Sequence, residues 1–110
     1  MNSPRLEKLL DFLKSDENDC FTLYAIALEY LNSDKNQAKI YFEKLLEKHP
    51  NYVPTYYKAA ELYIDLGDEK KVKATFEKGI KTAQEQQEYK TQNELNVAYN
   101  NYLLDLDGLL

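Results

Sequence analysis

Two stretches of this chain copy one another at almost constant spacing. Leu23-x-x-Ile26-Ala27-x-x-Tyr30 returns as Tyr56-x-x-Ala59-Ala60-x-x-Tyr63, at an offset of 33 residues. A second apolar series follows each: Ala38, Phe42, Leu45, Leu46 and His49 match Val72, Phe76, Gly79, Ile80 and Ala83 at an offset of 34. The difference is a residue missing from the first inter-helix turn. Within each series apolar side chains recur at three and four, the period of a helix, and a period of two is nowhere sustained. A two-helix unit of about 34 residues cannot bury its apolar face alone, so such units stack and share a continuous core. The small residues Ala27, Ala60 and Gly79 let helices approach closely, Tyr30, Tyr56 and Tyr63 fill the core positions around them, and Phe42 and Phe76 close each layer.

The pattern predicts six helices and an all-α fold. The first covers about residues 4–14, capped by Ser3 with Pro4 in its first turn, where a missing N–H costs nothing. Leu6, Leu9, Leu10, Phe12 and Leu13 form its apolar face, with Leu9, Phe12 and Leu13 placed like the second helix of an absent repeat. The second helix covers about 20–32, and the third runs from a cap at Asp34 to about His49, where Pro50 stops it. The fourth begins at Pro54 and ends near Leu66 at the turn Gly67-Asp68, and the fifth spans 69 to about 85. The polar stretch Gln84–Lys90 is a frayed end or a loop. Thr91 with Glu94 suggests a capping box for a sixth helix over about 92–106, carrying Leu95, Ala98, Tyr99, Tyr102 and Leu106 and ended by Gly108.

The segments Leu23–Tyr30 with Ala38–Pro50, and Tyr56–Tyr63 with Gly67-Asp68 and Val72–Ile80, resemble tetratricopeptide repeats, in particular the small bacterial proteins with two repeats between flanking helices. The resemblance implies one domain over residues 1–110: repeat one at 19–50, repeat two at 53–85, an N-terminal helix, and a capping helix at 92–106. The match is not uniform. Leu23 stands where the family favours a large aromatic, Gln84 replaces the proline that closes repeat one, and Tyr99 occupies a place where a full repeat has a small residue.

Charge and composition narrow the function. The 110 residues carry 14 Lys+Arg against 19 Asp+Glu, a net charge of −5 spread evenly over both halves, so the electrostatic footprint of a nucleic-acid binder is missing. Lys70-Lys71-x-Lys73 reads as a solvated helix face. No apolar run has the length of a membrane span and Met1–Arg5 lacks the apolar core of a signal peptide, so a cytoplasmic protein is expected. One cysteine, Cys20, cannot form an internal disulfide, and no ligand set for a metal surrounds it. Its place at a helix start could lower its pKa, but no histidine lies near in sequence to act as base. His49, beside Pro50, reads as a helix-terminal residue facing its own last carbonyls. No nucleophile elbow and no phosphate-cradling glycine loop occurs. A non-enzyme without metal or cofactor is expected.

The resemblance implies that the first helices of successive repeats line a concave groove. The matched groove positions are Tyr24, Leu28 and Leu31 in repeat one and Tyr57, Lys58, Glu61 and Ile64 in repeat two. Some members of the family hold a partner's C-terminal carboxylate with a lysine and an asparagine on the first groove helix; Tyr24 and Leu28 stand in those places, so that clamp is absent. An apolar, aromatic groove with a polar rim suits an amphipathic helix or an extended apolar segment. The expected function is protein–protein interaction, as a small adaptor or scaffold docking a peptide or helix through Tyr24, Leu28, Tyr57 and Ile64. The alternative is a self-associating module whose groove is filled by another copy. In the leucine-rich end, 103–110, Leu103 and Leu106 are expected against the fifth helix, while Leu109 and Leu110, left over beyond Gly108, either fold back on their own last helix or enter an apolar groove, their own or a neighbour's, with the Tyr24–Leu28–Leu31 stripe as candidate.

Overall fold

The computed structural model describes residues 2–108. Its elements are α1 (Pro4–Ser15), α2 (Cys20–Leu31), α3 (Lys35–Lys48), α4 (Pro54–Leu66), α5 (Glu69–Glu85) and α6 (Tyr89–Leu106). They fall into two compact units, one ending at Thr55 and one beginning at Tyr56.

In the first unit, Ser3 Oγ accepts the Leu6 N–H at 3.1 Å and Pro4 opens α1. Leu6 is buried, Leu9, Leu10 and Leu13 are half-buried, and Phe12 is 69% exposed. The expected face through Phe12 is therefore corrected. Leu6, Leu9, Leu10 and Leu13 follow one another at i, i+3, i+4 and i+7 and make a single stripe; Phe12 lies outside it. α1 packs on α2, and α2 on α3. Asp19 caps α2, accepting the Thr22 N–H at 2.9 Å and the Thr22 hydroxyl at 2.6 Å. Those two bonds, the hydroxyl first, hold its carboxyl below the usual carboxylate range.

The core of this unit is Leu23, Ile26 and Ala27 of α2 with Ala38, Phe42 and Leu45 of α3. Tyr30 is half-buried and stacks on Tyr41 at 5.8 Å. Asp34 caps α3 by accepting the Gln37 N–H at 3.2 Å, while its own N–H donates to the Tyr30 carbonyl. His49 departs from expectation. Its backbone N–H reaches Leu45, but its Nε2 donates at 2.5 Å to the Asn18 carbonyl in the α1–α2 loop, so the ring ties two loops together.

In the second unit, α4 ends in a left-handed turn: Gly67 has φ +74°, its N–H bonds to Ile64 at 3.1 Å, and the Asp68 N–H bonds to Tyr63 at 3.0 Å. Asp68 then caps α5 through the Lys71 N–H at 3.2 Å. Tyr56 and Tyr63 are buried with Ala59, Ala60, Val72, Phe76 and Ala83. A Cβ built on Gly79 would stand 2.6 Å from Tyr56 Cβ, which shows how closely α5 approaches α4 there.

The end of α5 repeats this turn without a glycine. Gln87 holds φ 59°, its N–H bonds to Gln84, and the Glu88 N–H bonds to Ala83 at 2.8 Å. The chain is thereby turned early, and α6 starts at Tyr89 behind Glu88, whose side chain makes no cap bond. The proposed Thr91–Glu94 cap and a start at 92 are both corrected, since both residues lie inside the helix. On α6, Leu95 is buried, and Tyr99 stacks on Phe76 at 5.1 Å while donating to Glu77 Oε2 at 2.8 Å. Leu103 is half-buried, but Leu106 is 46% exposed, against the expectation that α5 would cover it. Leu109 and Leu110 lie outside the described residues.

Candidate functional site

The residues predicted to form a groove have different surroundings. On α2, Tyr24, Leu28 and Leu31 are half-buried. The Tyr24 ring is already engaged, edge-on to Phe42 at 6.4 Å and to Tyr52 at 5.5 Å. Tyr52 receives Phe21 edge-on at 5.8 Å, and Phe21 is 71% exposed. Phe21 and Tyr52 fall outside the matched groove positions of the repeat, so the repeat pattern does not point to them. The aromatic density around Pro50 was the available signal.

On α4, Tyr57 is half-buried and Ile64 is 40% exposed. Lys58 and Glu61, one turn apart, form an exposed ion pair at 3.5 Å. Tyr57 lines a cleft of about 300 Å³ whose far wall is α6: Asn93, Glu94, Val97, Ala98 and Asn101. Val97 is 51% exposed. Tyr57 and Val97 offer apolar surface, and the asparagine amides on the rim can both donate and accept hydrogen bonds. The α6 wall was missed because that helix was read only as a cap. Its spacing carried the signal: Leu95, Ala98 and Tyr102 sit where Tyr56, Ala59 and Tyr63 sit on α4, so α6 repeats the first-helix pattern and presents an equivalent face.

Groups capable of chemistry are few. Burial, and then the neighbouring Asp19, raise the Cys20 thiol above its ordinary value, opposite to the lowering a helix start could give, so it is protonated at neutral pH and a poor nucleophile. Burial, with the Glu77 hydrogen bond and charge, pushes Tyr99 up to about 12. Among the described residues no group of three or more His, Cys, Asp or Glu side chains could hold a metal ion, and no helix is long and apolar enough to cross a membrane.

Helical hairpins at a 33–34-residue spacing, with a glycine where α5 crosses α4 and a cleft between α4 and α6, are the marks of a helical-hairpin repeat protein. The tetratricopeptide repeat family matches residues 32–91, and this chain belongs to that family. It is similar to a tetratricopeptide repeat domain protein from Salinibacter ruber solved in solution by NMR, with 39% identity over 76% of this chain and 85% of that one and a TM-score of 0.71. It is similar also to a crystal structure of a tetratricopeptide repeat domain protein from the same bacterium, with 38% identity over 73% of this chain and 91% of that one and a TM-score of 0.69. Among curated proteins there is no match. The tetratricopeptide fold generally mediates protein–protein interaction and is generally non-enzymatic.

Proposed function

We propose that this protein is a small adaptor that docks a segment of a protein partner in the α4–α6 cleft. The observation that carries the reading is the pairing of half-buried Tyr57 with exposed Val97 across a cleft of about 300 Å³, large enough for one or two apolar side chains. Tyr57 is the anchor: an aromatic ring held on a helix gives a large contact area at small entropic cost. Asn93 and Asn101 meet the partner's polar groups on the rim, and Ile64, Lys58 and Glu61 extend the same helix beyond the cleft. Tyr24 contributes little to this docking, because its ring is occupied by Phe42 and Tyr52.

A photo-crosslinking residue placed at Val97 tests the assignment in the native cell extract. A discrete protein adduct, lost when Tyr57→Ala is added, is the expected result. An adduct formed from the same group at exposed Lys81 on α5, and not from position 97, would put the docking surface elsewhere.

A further inference from the structure

A second cleft, of about 410 Å³, lies between α1 and α3 in the first unit. Its floor is Leu10 and Leu13, both half-buried, and its rim carries Lys14, Lys44 and Lys48 against a single acid, Glu17. These lysines have only weak engagements. Lys14 meets Asp11 at 3.3 Å and Lys48 meets Glu47 at 3.7 Å, with both side chains of each pair more than half exposed. Lys44 lies over the Tyr41 ring at 5.1 Å. Exposed pairs of this kind contribute little and exchange partners readily. An apolar floor ringed by three lysines is unusual on a chain whose net charge is −5, and it suits a segment with a leucine flanked by acids.

The chain itself carries such a segment. At the end of α6, Leu104 is 39% and Leu106 46% exposed, interleaved with exposed Asp105 and Asp107. Leu106, the more exposed of the two, gains by burial, and the carboxylates of Asp105 and Asp107 that flank it complement the lysine rim, while Leu104, two residues back, stands on the other side of the last turn. We propose that a second copy of this chain docks the end of its α6, Leu104–Asp107, in the α1–α3 cleft. The two surfaces differ, so the contact is heterologous: each copy offers one cleft and one helix end, and association continues as a ring or an open chain. The proposal is independent of partner docking at the α4–α6 cleft, whose lining on α6 stops at Asn101.

Charge exchange tests it on the full chain by analytical ultracentrifugation. The parent protein is expected to gain mass as its concentration rises towards about 1 mM, the range of a weak contact. Lys44→Glu/Lys48→Glu and Asp105→Lys/Asp107→Lys, all at exposed positions, are each expected to remain monomeric with unchanged circular dichroism. An equimolar mixture of the two variants offers two complementary contacts, the native helix end of the first in the native cleft of the second and the exchanged end of the second in the exchanged cleft of the first, so it regains the parent's concentration-dependent gain in mass. A parent that stays monomeric throughout, variants that assemble as the parent does, or a mixture that stays monomeric would each overturn the proposal.

Discussion

A single hydrogen at position 79 sets how closely α5 approaches α4. An alanine there would bring its Cβ to 2.6 Å from Tyr56 Cβ and 2.8 Å from Tyr56 Cγ, atoms that cannot swing aside because Tyr56 is fully buried. Alanine in an open helix interior is worth about 1 kcal/mol over glycine. We expect the opposite sign here, with Gly79→Ala losing about 1–3 kcal/mol through overpacking. Denaturant unfolding measures it, and a variant as stable as the parent would refute the close crossing. The need for glycine was legible in the repeat alignment because packing at a fixed crossing leaves a periodic trace. The orientation of Tyr24 was not. Its place beside the core position was correct, but whether the ring turns to solvent or to Tyr52 depends on a loop residue outside the repeat pattern.

Helix ends decide where each element begins and stops. Ser3, Asp19, Asp34 and Asp68 cap their helices by accepting a backbone N–H three residues on, and the polar runs before each helix made most of these ends readable. The α5–α6 junction was not readable. Its left-handed residue is Gln87 and not glycine, so the run Gln84–Lys90 carried no turn signal, and Thr91–Glu94 imitated a cap within what is already helix. The same geometry predicts a gain in stability. Gln87→Gly relieves a left-handed side-chain penalty of about 1–2 kcal/mol and adds unfolded-state freedom in return, for a net stabilisation of about 0.5–1 kcal/mol. A thermal melt reads it, and a lower Tm would contradict the left-handed assignment. Phe12 shows a further limit of periodicity: an apolar residue one position away from a four-leucine stripe was counted into the face, although its angle places it in solvent.

Five tyrosines, distributed over both units, share one property. Tyr41, Tyr52, Tyr56, Tyr99 and Tyr102 all have hydroxyls raised above the ordinary value of 10.0, with burial the first cause in every case and Tyr99 reaching about 12. The folded chain thus holds these protons more tightly than the unfolded chain. Their contribution to stability is complete below about pH 10 and is lost as pH rises from there through about 12. Tyrosinate absorbance followed together with far-ultraviolet circular dichroism is expected to show helix loss accompanying ionisation in that window. Ionisation of these five near pH 10, with the helices intact, would contradict it. At this scale the two-helix repeat was legible from spacing alone. Of the cleft proposed for docking only the α4 wall was legible, since its opposite wall comes from a helix whose departure from the repeat at Tyr99 concealed its equivalence to α4.

In the docking proposed above, Tyr57 anchors a partner in the α4–α6 cleft. Isothermal titration of the partner segment captured at Val97 into the parent protein and into Tyr57→Ala tests it most directly. The expected result is a loss of more than about 1 kcal/mol of binding free energy, at least about fivefold in affinity, with circular dichroism unchanged. Equal affinities for two equally folded proteins would contradict it.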